Sequence, residues 1–163
     1  GVGINMKMIY GMKKLNRVLN RTTFSTRFVS VFYAELHRKG GLLYANAGHT
    51  SGLIITEDGV TQLDPTGPIM GPLPDIPLER GYANIPEGAI LALYTDGITE
   101  RVNPDGTPFE EAGLIEQIQL HRHRSASEIV WQVFDHERKL EHESDMFEDD
   151  MTLVILKHED RTD

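Results

Sequence analysis

The chain contains no cysteine. That absence excludes disulfides, a catalytic thiolate, iron–sulfur clusters and cysteine-ligated zinc, and it fits a reducing cytoplasm. Long apolar runs are lacking as well. No segment approaches the roughly 20 apolar residues of a membrane span, and Lys7, Lys13 and Lys14 interrupt any signal-peptide pattern. The expectation is a soluble, cytoplasmic protein. Positive charge is scarce: 16 Lys and Arg against 25 Asp and Glu give a formal charge of −9 at pH 7. A surface of that sign gains nothing from counterion release, which argues against nucleic acid or an anionic membrane as partner. Repeats, low-complexity blocks and interdomain linkers are also missing. At 163 residues the chain is expected to form one domain with a core of its own.

Met8, Met12, Leu15 and Leu19 recur at helical spacing, which predicts a helix from about Met6 to Leu19, with Gly11 bending or dividing it. The period then changes to two. Phe28–Leu36 and Gly41–Ala47 read as a hairpin turned at Arg38-Lys39-Gly40, and Gly52–Thr56 and Val60–Leu63 as a second, turned at Glu57-Asp58-Gly59. Five prolines and two glycines between Asp64 and Pro77 make that stretch a loop. Tyr82–Ile85 and Ala89–Tyr94, joined by Pro86-Glu87-Gly88, read as a third strand pair, the latter strand apolar enough for burial on both faces.

Asn103-Pro104-Asp105-Gly106 is a turn, and Glu111–Leu120 a short helix. Ser125-Ala126-Ser127-Glu128 forms a capping-box pattern opening a longer helix whose stripe is Ile129, Val130, Val133, Phe134 and Leu140. Trp131 lies beside that stripe and is expected to pack. His121-Arg122-His123-Arg124 is expected to be a solvated loop between the two helices rather than a phosphate-binding patch. Met151–Lys157 is the last strand, followed by a polar tail.

Two acidic residues stand where apolar β-like runs meet polar turns: Asp96, after Leu91-Ala92-Leu93-Tyr94-Thr95, and Asp149, before Asp150-Met151-Thr152-Leu153-Val154. If those strands lie side by side, their ends bring carboxylates together. Like-charge repulsion is then relieved by protonation or by hard divalent cations, which take oxygen ligands. The pattern points to a metal-dependent hydrolase. Taken alone, Asp96-Gly97 is an ordinary turn. Of the acidic run Glu141, Glu143, Asp145, Glu148, Asp149 and Asp150, the first four read as a solvated face. Asn46-Ala47-Gly48-His49 is either a loop with a hydrogen-bonded histidine or part of a metal site. His37, His121, His123, His136, His142 and His158 show no ligand spacing.

Four segments, in this order, resemble the bacterial metal-dependent serine/threonine phosphatases of the protein phosphatase 2C superfamily, in the branch of stage II sporulation protein E and the stress-response sigma-factor regulators. They are Phe28-Val29-Ser30-Val31-Phe32, Tyr44-Ala45-Asn46-Ala47-Gly48-His49, Leu93-Tyr94-Thr95-Asp96-Gly97-Ile98-Thr99-Glu100 and Asp149-Asp150-Met151-Thr152-Leu153-Val154. The resemblance implies an α+β fold, an α-β-β-α sandwich of two antiparallel sheets flanked by helices, with two Mn2+ or Mg2+ ions in the complete domain. It makes Asp96 and Asp149 the catalytic metal ligands and Asp150 a supporting neighbour. Gly97 would provide the turn, and His49 and Glu100 match positions near a more labile third metal in the wider superfamily. The implied substrate is a phosphoserine or phosphothreonine on a regulatory protein, with an anti-sigma-factor antagonist as one candidate. A dimer is left open.

The family's first motif, an aspartate shortly before Gly-x-Gly that bridges both metals, is absent from this sequence, which begins Gly1-Val2-Gly3-Ile4-Asn5. The expectation is therefore an N-terminally truncated domain lacking the first strands of the family fold, and weak or no turnover by this chain alone. The rival expectation is a noncatalytic module that keeps the phosphatase fold to bind a partner. Lesser departures are Ser51 where proline is frequent, and Glu110 where a glycine commonly follows Phe109.

Overall fold

Along the chain run α1 (Val2–Thr22), β1 (Val31–Leu36), β2 (Gly41–Ala47), β3 (Gly52–Ile55), β4 (Val60–Leu63), β5 (Gly81–Asn84), β6 (Ile90–Tyr94), α2 (Asp96–Thr99), α3 (Glu110–Leu120), α4 (Ala126–Leu140) and β7 (Leu153–Lys157). These elements come from a computed structural model that describes residues 2–22, 28–103, 105–140 and 150–159. Contacts divide them into two units, Gly1–Ser51 with Leu63–Asn84, and Gly52–Gln62 with Ile85–Asp163. Each unit holds one antiparallel sheet and its helices, so the expected α+β class with two flanked sheets is what forms. No described helix is long and apolar enough to cross a membrane.

In the first unit α1 covers the sheet ordered β1-β2-β5. Met8 and Met12 are buried with Leu43, Ala45, Ala47, Met70, Ile76 and Leu78, and Leu19 packs against them. The helix runs unbroken through Gly11, where an added Cβ would meet nothing. Leu15, expected on the buried stripe, is 48% exposed. Its place is taken by Asn16, which is fully buried because the proline-rich loop needs hydrogen-bond partners. Asn16 Nδ2 donates to the carbonyls of Leu73 (2.9 Å) and Pro74 (3.1 Å), and its Oδ1 accepts from Gly71 N–H at 2.8 Å. Asn20 adds a bond to the Gly71 carbonyl at 2.7 Å. A loop with few ladder bonds of its own is thus held by amides on the helix. The first strand starts at Val31 rather than Phe28, with Val29 making only an isolated bridge to Met70.

The second unit's sheet is ordered β4-β3-β6-β7. Here the sequence reading needs correction, because β5 and β6 do not pair: β5 pairs with β2, and β6 with β3 and β7. The reason is burial. All but one residue of β6 is buried, which suits a central strand with both edges hydrogen-bonded, whereas β5 alternates between half-buried and exposed. The Pro86–Gly88 link is tied to the end of β7 instead, Gly88 N–H donating to the His158 carbonyl at 2.7 Å.

Helices α3 and α4 bury Leu114, Ile118, Ile129 and Val133 against Leu53, Ile55, Ile90, Ala92 and Tyr94. The capping box forms as expected: Ser125 N–H donates to Glu128 Oε2 (3.0 Å) and Glu128 N–H to Ser125 Oγ (3.3 Å). Trp131 does not pack and is 67% exposed. It stands two residues, about 200° of rotation, from Ile129 and so faces away from the core. The Leu140 side chain lies outside the described residues, as do Pro104, Glu141, His142, Glu143, Asp145 and Glu148. In the turn that begins at Asn103, Gly106 N–H donates to the Asn103 carbonyl at 2.8 Å. His121–Arg124 form the loop between α3 and α4, where Arg122 pairs with Glu57 at 3.5 Å.

The departure at Glu110 has a structural counterpart. Its φ is +52°, the left-handed region that disfavours a side chain. Glu110→Gly is expected to stabilise the fold by about 0.5–1 kcal/mol, read as a rise in the urea midpoint at unchanged slope. An unchanged or lower midpoint would contradict strain at this position.

Candidate functional site

Strand β6 is paired with β7 so that Tyr94 faces Leu153, which puts the residues after Tyr94 and before Leu153 at the same end of the sheet. Thr95 ties them together. Its N–H donates to the Thr152 carbonyl (3.1 Å), its hydroxyl to the Asp150 carbonyl (2.9 Å), and the same oxygen accepts from Thr152 N–H (2.9 Å). A threonine suits this place because its β-branched stem favours strand geometry while its hydroxyl both donates and accepts.

The chain then closes one helical turn, α2. Asp96 Oδ1 accepts from Gly97 N–H (3.1 Å), and the Asp96 carbonyl accepts from Glu100 N–H (2.9 Å) and the Thr99 hydroxyl (3.2 Å). Ile98, fully buried in the core cluster, fixes the underside of this turn. Asp96, Glu100 and Asp150 are exposed, whereas Gly97 is buried. Gly97 turns within right-handed helical backbone and is not among the positive-φ glycines. The structure therefore places Asp96 and Asp150 at neighbouring strand ends, with Glu100 closing the turn that Asp96 opens. Asp149 lies outside the described residues.

His49 belongs to the first unit, in a loop organised by the fully buried Asn46. Asn46 Oδ1 accepts from His49 N–H at 2.8 Å, and its Nδ2 donates to the Thr50 carbonyl at 3.2 Å. His49 Nδ1 stands 2.9 Å from Thr50 Oγ1. Gly48 has φ +67°, and a Cβ there would collide with Ile69. The histidine is thus a hydrogen-bonded member of a shaped loop.

Among the described residues no group of three or more His, Asp or Glu is arranged to hold a metal ion. The donors at the Thr95 end are nevertheless carboxylates at exposed positions, a set that fits hard cations such as Mg2+ or Mn2+ rather than soft ones. Beside this end, the Tyr94 hydroxyl donates to Glu111 Oε2 at 2.6 Å, and Gln62 Nε2 donates to Oε1 of the same carboxylate. Burial, then the Glu111 bond, pushes the Tyr94 hydroxyl far above its ordinary value, so it stays a donor.

Two features of this region emerge only in the folded chain. One is the Thr95 tie, which nothing in the sequence distinguishes from an ordinary strand-end threonine. The other is Glu137, fully buried on α4 and 3.6 Å from Arg101 Nε. Its signal was present: Glu137 continues the four-residue spacing of Ile129 and Val133, a charge on an apolar stripe.

Residues 9–159 match the family described as stage II sporulation protein E (SpoIIE). Among curated proteins, phosphoserine phosphatase RsbU of Bacillus subtilis is 30% identical over 149 residues, covering 90% of this chain and 44% of that protein. Among solved structures, the PP2C phosphatase domain of SpoIIE from Bacillus subtilis, with a fragment of its regulatory domain, superposes with a TM-score of 0.68 at 18% identity, covering 88% of this chain and 42% of that one. The RsbU and RsbW domains of Rv1364c from Mycobacterium tuberculosis give 0.62 at 22% identity, covering 97% and 45%. These structures share the fold. The chain spans less than half the length of the curated relatives it matches.

Proposed function

Because the chain belongs to the stage II sporulation protein E (SpoIIE) family, we propose that it is the phosphatase domain of a metal-dependent enzyme that removes phosphate from serine or threonine on a regulatory protein. The observation that carries this reading is the Thr95 tie, which brings the segment preceding β7 alongside Asp96. PP2C-like phosphatases are metal-dependent, and a pair of bound divalent ions would supply an acidified water and neutralise phosphate oxygens in an in-line displacement.

In this chain Asp96 and Asp149 are the residues assigned to hold Mn2+ or Mg2+. Asp150, anchored through its carbonyl to Thr95, is assigned the supporting position next to Asp149, and Glu100 offers a further carboxylate beside Asp96. No side chain need attack phosphorus, so no covalent intermediate is required. The RsbU likeness supports phosphoserine as the bond broken, and the pairing of RsbU and RsbW domains in one solved chain supports a regulatory protein of sigma-factor signalling as partner. The lack of cysteine accords with a reducing cytoplasm as its setting.

The test is phosphate release from a phosphoserine peptide by the full-length protein, with Mn2+ and with chelator. Release that needs Mn2+ is expected. No release with any divalent ion, while binding to a regulatory partner persists, would replace this reading with that of a noncatalytic binding module.

A further inference from the structure

Among the described residues, Glu137 is the one fully buried charged side chain. It is fully buried on α4, and neither carboxylate oxygen accepts a hydrogen bond from a described residue. Its counter-charge is Arg101, whose side chain is 9% exposed, with Nε 3.6 Å from Glu137 Oε2 and Nη2 donating to the Glu137 carbonyl at 3.5 Å. An ion pair buried this way is a poor source of stability, because desolvation cancels most of the attraction and apolar replacements often do as well. A different return is needed to account for it.

That return is positional. Arg101 directly follows Glu100, at the end of the turn that carries Asp96. The Arg101 carbonyl accepts from Phe109 N–H at 2.9 Å, and the buried Phe109 ring stands 5.6 Å from His136, the neighbour of Glu137 on α4. Helix α4 therefore grips the segment after α2 at two adjacent residues, once through a ring and once through a charge. The ring contact is forgiving in direction, whereas the guanidinium is set by the Nη2 bond to the Glu137 carbonyl and by the carboxylate charge 3.6 Å from Nε.

We propose that Glu137 is a positioning residue for the phosphatase site: through Arg101 it pins the exit of the Asp96–Thr99 turn and so fixes where the Asp96 and Glu100 carboxylates stand beside the Asp150 strand end. The proposal rests on the phosphatase reading for its purpose, though the pinning itself is a property of this fold. Glu137 is fully buried and is assigned no contact of its own with metal or substrate. It acts on the site only through Arg101.

The test uses Glu137→Gln in the full-length protein, since the amide keeps the shape and removes the charge. Three quantities are read: hydrogen exchange of the 96–101 amides without metal, Mn2+ affinity by calorimetry, and the Mn2+ concentration giving half-maximal phosphate release. Expected are exchange about 10-fold faster at 96–101 with the β6 amides unchanged, and Mn2+ affinity and half-activation both weakened about 10-fold.

The double variant Glu137→Leu with Arg101→Met separates positioning from simple packing. It should fold at least as stably as the parent yet keep the weakened Mn2+ response. Wild-type exchange and Mn2+ affinity in Glu137→Gln would overturn the proposal, as would a double variant with a wild-type Mn2+ response. If the wild-type protein neither binds Mn2+ nor releases phosphate, the phosphatase reading fails separately. The exchange measurement then still decides the pinning, upheld by loosening at 96–101 and overturned by its absence.

Discussion

Asp96→Asn is expected to lower Mn2+-dependent phosphate release by the full-length protein by at least about 100-fold, with no measurable loss of stability. Two features of the site set that expectation. Asp96 is exposed, and the one hydrogen bond its side chain makes among the described residues, from Gly97 N–H, can be accepted equally by an amide oxygen. Folding should therefore move by no more than about 0.5 kcal/mol. The amide, however, carries no charge, and a hard divalent cation held by few carboxylates loses much of its attraction when one becomes neutral. Asp149→Asn should match it. Asp150→Asn should fall in the range of about 10-fold, because Asp150 is assigned to orient a ligand and not to be one. Steady-state release across a Mn2+ titration checks the ranking; full activity in Asp96→Asn would remove the mechanism.

The second large effect concerns stability. Arg101→Met leaves the Glu137 carboxylate buried without its guanidinium, and loss of one partner of a buried pair costs about 3–5 kcal/mol. The cost should depend on pH in a definite direction. Burial raises the Glu137 carboxyl to about 7, with Arg101 opposing the rise. The folded state thus holds the proton more tightly than the unfolded chain, so the contribution of this group to stability is fullest below its unfolded value. It is lost as pH climbs through about 7. Arg101 limits that loss, and without it the loss deepens. Urea unfolding of Arg101→Met should show a larger cost at pH 8 than at pH 5, where the carboxyl is neutral, by up to about 1.4 kcal/mol because the variant can take up a proton instead. An equal cost at both would mean that packing, not charge, is what Arg101 provides.

What could be read in the sequence follows from how local each signal is. Strand periodicity, the Ser125–Glu128 capping box and the apolar β6 are local patterns, and each appears where its residues predict. Partnership between strands is not local. Tyr82–Ile85 and Ala89–Tyr94 look like a hairpin through a short linker, yet β6 is better satisfied by two neighbours from distant segments. The exposure of Leu15 and the burial of Asn16 are set by a loop far along the chain whose carbonyls and N–H groups need amide partners. Trp131 is exposed for a simpler reason, its angle around α4 counting for more than its size. At the candidate site, the motif segments marked Asp96 and Asp150. The threonine hydroxyl that joins their strand ends depends on side-chain geometry that no spacing encodes, whereas the buried pair behind them leaves one trace, Glu137 on the four-residue spacing of Ile129 and Val133.

The measurement that bears most directly on the account is anomalous diffraction at the manganese edge from crystals of the full-length protein soaked in Mn2+. Carboxylates carried by two separate strand ends should share a manganese peak, with Asp96 and Asp149 oxygens each about 2.1–2.3 Å from the ion. Manganese bound elsewhere, or the Asp96 and Asp149 carboxylates directed to opposite sides of the sheet end, would contradict it.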